Sequence, residues 1–286
     1  MNTFEYKRKL SIIRGDAPIT FAHIKDYDSP GNHQLHINNY IEVYVYVSGD
    51  TDYIVSDKYY SLKSGDIIVI TPQDVHKAVL RNNCLYERFY ILVPVNMFSR
   101  FVFDPLEKML NRSSGSPALV SLRPKERETA MNILYKVSEL CRDNTDSNKL
   151  MIAYTQVIKF LCLLNENMES LSVDVFRKEH IPEIVSEVLV YIDKNLTSLQ
   201  SSAEIAEHFK VTPQYLSTVF KKYIGTSIKI YIRTNRIALA KSLLNSGCSV
   251  TEACYESGFN DCSYFIKHFK QCLGVTPLQY KLNLKS

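Results

Sequence analysis

The 286-residue chain contains no tryptophan, although it carries nineteen tyrosines and thirteen phenylalanines; that bias by itself points to no class of function. No apolar run approaches the ~20 residues needed to cross a bilayer. Residues 1–10 are polar and charged and have no apolar core of signal-peptide length. The expectation is a soluble, cytoplasmic protein with no membrane partner. Seven cysteines (Cys84, Cys141, Cys162, Cys248, Cys254, Cys262 and Cys272) are odd in number and form no C-x-x-C pair. That argues against a disulfide framework or zinc site and for reduced, mostly buried thiols. No phosphate-cradling glycine loop, no nucleophile with its base and no paired catalytic carboxylates stand out, so the reading holds no catalytic residue and no cofactor. One further absence is local. Between Glu207 and Glu252 there is no acidic residue, while Lys210, Lys221, Lys222, Lys229, Arg233, Arg236 and Lys241 all fall there. A solvated helical face usually mixes both signs, so a one-sign stretch suggests a polyanion partner. From residue 183 onward there are twelve Lys/Arg against eight Asp/Glu, whereas residues 1–182 hold twenty-two of each, so the net charge of +4 lies wholly in the C-terminal part.

What that part contains is one unit read twice. A shift of forty-nine positions places Tyr215 on Tyr264, Leu216 on Phe265, Phe220 on Phe269, Lys221 on Lys270, Ile224 on Leu273, Gly225 on Gly274 and Tyr231 on Tyr280. Just upstream, Glu204-Ile205-Ala206 matches Glu252-Ala253-Cys254 one position out of step, so the second copy carries one extra residue in a turn. Each copy reads as helix, tight turn, helix. In the first, Ile205, Ala206 and Phe209 face inward, residues 210–212 turn, and Thr212 caps a helix with Pro213 at its first position. Leu216, Val219 and Phe220 then face inward and leave Gln214, Ser217, Thr218 and Lys221 outside. In the second, residues 258–260 turn and Asp261 caps; Phe265, Phe269 and Leu273 go inward, and Cys262, Ser263, Ile266, Lys267 and Lys270 stay outside. Periodicity alone also suits an ordinary all-α bundle with a duplicated hairpin. The one-sign charge favours a pair of helix-turn-helix units, whose second helices, about 213–223 and 261–272, would lie in the DNA major groove.

The residues resemble a known family. Gly258-Phe259, Tyr264-Phe265, Phe269-Lys270, Gly274, Thr276-Pro277 and Tyr280, with Arg236, Ala240, Leu243 and Leu244 between the units, look like the paired helix-turn-helix domain of the AraC/XylS transcription regulators over residues 183 to 283. Lys210 stands where many members have a turn glycine, and Ala253-Cys254 where isoleucine-alanine is usual. The resemblance implies a transcription regulator, an activator or a repressor, that binds double-stranded DNA as a homodimer in answer to a small-molecule effector, with RNA polymerase as a further candidate partner. On that reading Gln214, Ser217, Thr218, Lys221, Cys262, Ser263, Ile266, Lys267 and Lys270 face DNA, and the linking helix, residues 227–244, sets the spacing of the units.

Residues 19–94 read as β: Val43, Val45 and Val47 alternate with Tyr44 and Tyr46, and turn signals recur at residues 29–31, 48–50, 63–66 and 72–74. Short strands at that spacing suggest a sandwich or small barrel. The spacing of His36, Asn38, Glu42, Gly49, Gly65, Pro72 and His76 resembles the two motifs of the cupin barrel, with Asn38 in place of one histidine ligand. Two histidines and a carboxylate suit a mononuclear iron or manganese centre, so a metal-dependent cupin enzyme fused to a DNA-binding tail is the alternative reading. Surface residues with no ligand are a third. The AraC/XylS resemblance implies instead a metal-free pocket in which His36, Glu42, Tyr44 and His76 bind an effector. Tyr44, Tyr46, Tyr53, Tyr59 and Tyr60 would let it take a carbohydrate, by stacking on sugar rings. After residue 96 the pattern turns helical: a short helix at 105–110, a loop at 112–117, an amphipathic helix from Pro124 and a second through Leu150, Tyr154, Val157 and Leu161. These two either pair protomers or pack on the barrel. The expected fold is thus α+β and multidomain: a cupin-like β-barrel with amphipathic helices (1–168), a linker (169–182), and an all-α domain of two helix-turn-helix units joined by a linking helix (183–286).

Overall fold

The computed structural model describes residues 3–11, 18–30, 32–72, 74–95, 97–98, 106–110, 118–142, 146–168, 182–199 and 201–284. The expected 112–117 loop and, save for Pro182, the expected linker lie outside them.

The N-terminal region is sheet-rich. Strands β1 (Phe4–Leu10), β2 (Ile19–Asp28), β3 (Tyr40–Ser48), β4 (Thr51–Val55), β5 (Lys58–Ser61), β6 (Ile67–Ile70), β7 (His76–Leu80), β8 (Cys84–Pro94) and β9 (Leu119–Val120) form two antiparallel sheets. One has the order β1-β2-β8-β3-β6-β9 and the other β5-β4-β7. Strand β1 falls where the sequence shows only a polar start. Its Glu5, Lys7 and Lys9 are exposed while Phe4, Tyr6 and Arg8 are half-covered, the pattern of an edge strand kept from further pairing by charge. Strand β9 likewise interrupts the region expected to be helical.

Because successive strand residues point to opposite faces, the six-stranded sheet serves two cores. Val43, Val45, Phe89 and Ile91 face helices α2 (Pro124–Arg142) and α3 (Ser147–Asn167), whose buried stripes include Ile133, Leu134, Val137, Val157, Phe160 and Leu161; α1 (Glu107–Leu110) adds Met109. Tyr44, Tyr46, Ile68 and Tyr86 face the other way, onto Tyr53, Tyr60 and Ala78 of the smaller sheet. The amphipathic pair therefore packs on the sheet, and Met151 and Ile152 of α3 remain exposed.

The C-terminal region is helical: α4 (Glu183–Lys194), α5 (Ser202–His208), α6 (Pro213–Ile224), α7 (Ile228–Asn245), α8 (Val250–Glu256), α9 (Cys262–Leu273) and α10 (Pro277–Asn283). Its core is not closed on itself. Ile54, Tyr59 and Val79 from the outer face of β5-β4-β7, with Leu35, Ile37 and Val75, join Val188, Phe220, Ile224 and Tyr231 in one buried cluster. Among the described residues no helix is long and apolar enough to cross a membrane.

The repeat is visible in the backbone. Helices α5 and α8 both end in the same two-bond turn: Lys210 N donates to Glu207 O and Val211 N to Ala206 O, as Gly258 N does to Tyr255 O and Phe259 N to Cys254 O. This Schellman arrangement needs a left-handed residue after the cap, and Lys210 (φ 53°) and Gly258 (φ 89°) supply it. The extra residue of the second copy sits between this turn and its cap. A left-handed lysine costs about 1 kcal/mol or more relative to glycine, part of which glycine gives back through unfolded-chain entropy. Lys210→Gly is therefore expected to raise stability by roughly 0.5 kcal/mol, read as a higher urea midpoint; an unchanged or lower midpoint would show that the exposed lysine carries no strain.

Candidate functional site

Helix α6 starts as its residues dictate. The Thr212 side chain accepts from Tyr215 N at 3.2 Å, Pro213 occupies the first turn, and Gly225 (φ 68°) ends the helix. For α9 the Asp261 carboxylate accepts from Ser263 N (2.7 Å) and Tyr264 N (3.1 Å), and Gly274 (φ 78°) ends it. Leu216, Phe220, Phe265 and Phe269 are buried, and Val219 and Leu273 half-buried, so each helix presents the opposite face to solvent. On that face Gln214, Ser217, Thr218, Lys221, Ser263, Ile266, Lys267 and Lys270 are exposed. Cys262 is half-buried, near Cys254, whose thiol burial and the Cys262 contact push up to about 12. Two exposed aromatics on the same helices, Tyr215 and Tyr264, were assigned no role; their coincidence under the forty-nine-residue shift was the available signal. His268, also unassigned, is buried with its ring against Tyr264.

Two of the seven basic residues in the acid-free stretch, expected to face a polyanion, are instead bonded inside the fold. Lys241 is 2% exposed, and its Nζ donates to the carbonyls of Asn38 and, at 2.9 Å, of Pro72. Arg236 donates to the carbonyls of Leu196 (2.9 Å) and Leu199. Both are internal fasteners. Lys210, Lys221, Lys222 and Lys229 remain exposed and Arg233 half-exposed. Lys267 stands free of the core on the outer face of α9. Lys267→Ala is expected to weaken binding to a cognate site by roughly 1–3 kcal/mol and relax preference at one base pair. Equal weakening on scrambled DNA would make it a phosphate contact.

The second candidate site is a 260 Å³ pocket in the sheet-rich region, lined by His36, Glu42, Tyr44, Tyr53, Tyr86 and Arg88 among others. Of the five tyrosines read as sugar platforms only Tyr44 and Tyr53 reach it. Tyr46 bonds Gly49 O, Tyr60 accepts from Ala118 N, and Tyr59 bonds Asp52 while its ring joins the helical core. Burial, then Tyr86, holds the Tyr44 hydroxyl well above its ordinary pKa; the two hydroxyls bond each other. His76 lies behind the pocket, fully buried, with Nε2 3.3 Å from Glu42 Oε2. Against a burial cost on both, their mutual contact holds Glu42 below and His76 above their ordinary values, whereas burial and His76 lower His36.

Strand β7 joins this pocket to the helices. His76 and Ala78 point inward; Lys77, between them, points out and donates from Nζ to Gly225 O at 2.8 Å, where α6 ends. Burial pushes Lys77 and Lys241 down to about 8. Tyr231 of α7 donates to Ser56 O. Asn38 faces both ways, its Nδ2 to Glu42 Oε2 at 3.0 Å and its carbonyl to Lys241. A larger cleft of 730 Å³ lies between the two regions, bordered by His36, Lys77, Lys221, Arg233 and His268 among others.

Comparison with known proteins places relatives on both regions. A family profile described as a helix-turn-helix domain matches residues 205–283. The HTH-type transcriptional activator AarP of Providencia stuartii is 38% identical over 101 residues, 35% of this chain and 75% of that protein. The melibiose operon regulatory protein of Escherichia coli K12 is 23% identical over 256 residues, 86% of this chain and 82% of that protein. Among solved structures, the C-terminal domain of AraT, a response regulator from Geobacillus stearothermophilus, is 30% identical, with 36% of this chain and 88% of that chain covered and a TM-score of 0.35.

Proposed function

The chain belongs to the AraC/XylS family of transcription regulators, and from that premise we propose that it is a ligand-responsive, sequence-specific activator acting in the cytoplasm as a homodimer. Residues 183–286 bind double-stranded DNA. Helices α6 and α9 enter successive major-groove faces, with Gln214, Ser217, Thr218, Ser263 and Lys267 on base edges and Lys221 and Lys270 toward phosphates. Residues 1–168 act as a cupin-like sensor joined by the linker 169–182, and an effector occupies the pocket lined by His36, Glu42 and Tyr44, with His76 acting on it from behind through Glu42. A carbohydrate fits its mixture of tyrosine faces, a carboxylate and an arginine. Support for a sugar also comes from the melibiose operon regulator, whose likeness spans 86% of this chain. The exposed Met151 and Ile152 of α3 offer an apolar pairing surface. RNA polymerase is the partner an activator needs beside its operator.

The observation that carries this reading is the outward polar stripe repeated on two capped helices. The test is binding of the full-length protein to DNA from upstream of its own gene, against scrambled DNA, over a salt series. The upstream fragment is expected to bind at least ~10³-fold tighter, with both affinities falling as salt rises. Equal binding to both fragments, or none, would end the reading.

Effector signals pass through the docked sheet. Anything that shifts Glu42 or His76 pulls on Asn38 and Lys77, hence on Lys241 in α7 and on the carbonyl that ends α6. Lys241→Met keeps the buried stem but leaves the buried Pro72 carbonyl and the half-buried Asn38 carbonyl without their donor, and is expected to destabilise docking by roughly 1–3 kcal/mol, seen as a lower melting midpoint and a blunted effector response. A variant with the wild-type midpoint and dose response would take Lys241 out of the relay.

A further inference from the structure

We propose that Cys254 and Cys262 are an oxidation-sensitive thiol pair, which peroxide joins in a disulfide that draws the first turn of α9 out of place. The proposal rests on the regulator reading only for its consequence, a loss of specific DNA binding. All seven cysteines are free thiols in the structure. Cys254 lies on α8 and is fully buried; Cys262 opens α9, is half-buried, and packs against the core cluster that holds Cys254. The turn at Gly258 and Phe259 folds α9 back over α8 and brings the two side chains into thiol–thiol hydrogen-bond contact. Other cysteines have other neighbours: Cys84 Sγ accepts from Asp50 N at 3.4 Å, and Cys248 Sγ meets Ser246 Oγ at 3.9 Å.

The duplication shows that the pair is peculiar to the second unit. In the register of the two copies Cys254 corresponds to Ala206 and Cys262 to Pro213. Neither carries sulfur, so the first unit has no counterpart. Alanine fills the buried place on α5 and proline opens α6; neither packing nor helix initiation requires a cysteine. An S–S bond of about 2.05 Å is shorter than a thiol–thiol contact, so one side chain must move to form it. Cys254 is held, because its carbonyl accepts from Phe259 N at 3.1 Å and from Ser257 Oγ at 3.0 Å. The movement falls on Cys262. That residue stands between Asp261, whose carboxylate caps α9, and Ser263, a proposed base contact, and closing the bond pulls both from their places.

Burial divides the chemistry between the two. Cys262 reaches solvent and reacts first: its thiolate sulfur attacks one oxygen of hydrogen peroxide, the O–O bond breaks, and the hydroxide released takes up a proton as water, leaving a sulfenic acid. The hydroxyl of the exposed Tyr255 is in hydrogen-bond contact with the same thiol and donates to its thiolate. Cys254 then resolves the sulfenic acid. Its thiol gives up a proton, its sulfur attacks the Cys262 sulfur, the S–O bond breaks and a second water leaves. Two thiols thus lose two electrons and two protons, and one peroxide becomes two waters. Burial, with the Cys262 contact, pushes the Cys254 thiol up to about 12, which keeps it protonated and inert at neutral pH until a sulfenic acid stands beside it.

The test uses full-length protein, fully reduced, exposed briefly to hydrogen peroxide and quenched with catalase. Mass mapping of peptides after alkylation is expected to show a Cys254–Cys262 cross-link and five alkylated cysteines, the seven of the chain less the two joined. Specific binding to the upstream DNA is expected to fall about tenfold or more and to return with dithiothreitol. Cys254→Ala, which gives the second unit the residue that the first has, is expected to bind as tightly as wild type before peroxide and to lose nothing after it. A cross-link between other cysteines, or none, overturns the pair, and that reading is taken on wild type whether or not the variant folds. Cross-linked protein with undiminished specific binding, or a Cys254→Ala variant that loses affinity as wild type does, overturns the displacement of α9. Reduced protein without specific DNA binding sinks the regulator reading, while the cross-link still decides the pair.

Discussion

Phe269→Asp is expected to unfold the second helix-turn-helix unit. Phe269 is fully buried, its ring 5.6 Å from that of Phe265 and 5.7 Å from that of Tyr280, so it ties α9 to its own preceding turn and to α10. Removing a buried phenylalanine costs about 3–5 kcal/mol in lost transfer and cavity. An unpaired carboxylate at the same place adds several more, by burial of a charge or by a forced protonation. The sum is comparable with the whole stability of a domain, roughly 5–15 kcal/mol. Helical circular dichroism should fall by the contribution of α8 to α10, and specific DNA binding should vanish even though none of the residues proposed to face DNA has changed. Retention of the wild-type spectrum and melting temperature would mean that α9 is rotated from the orientation described, with Ile266 and Lys267 rather than Phe265 and Phe269 toward the core.

Gly258→Ala is the second large effect, and it has two separable parts. The first is conformational: φ is +89°, where a Cβ costs about 1 kcal/mol. The second is steric. A Cβ at this position would lie 2.8 Å from both Cα and O of Thr197 and 2.9 Å from Arg236 Nε. Thr197 belongs to the backbone between α4 and α5, and Arg236 is the residue that holds the Leu196 and Leu199 carbonyls. Neither can withdraw without breaking that bracket, so the total is expected near 3 kcal/mol. Gly274 supplies the control, because it has a similar φ of +78° and nothing within 4 Å of a built Cβ; Gly274→Ala should cost about 1 kcal/mol. Urea midpoints of the two variants measure the difference. If they fall together, the contact with Thr197 and Arg236 relaxes freely and only the backbone term is real.

The residues that made the paired units legible act locally. A threonine or aspartate before a helix, a proline in its first turn and a glycine after its last turn determine where α6 and α9 begin and end through bonds spanning three or four residues. The observed α6 begins where expected and ends one residue later, and α9 begins and ends one residue later. Apolar spacing of three and four then decides which face is buried whatever the partner is. The same logic found α2 and α3. It failed at β1, where alternating half-cover is disguised by charge, and at Lys241, because lysine is almost never fully buried and nothing near it in the chain announces the carbonyls of Asn38 and Pro72.

By itself, then, the chain's order of residues determined the duplicated helical unit, its caps and turns, its outward polar stripe and the alternating strands before it, since each depends on neighbours a few positions away. Tertiary structure alone decided that the outer face of β5-β4-β7 closes the helical core, that Lys77 reaches Gly225 and Lys241 reaches Asn38, that only two of five tyrosines enter the pocket, and that His36, Glu42 and His76 converge. Those contacts join residues up to 203 positions apart. Their partners are chosen by how whole surfaces fit, a quantity that no local spacing encodes.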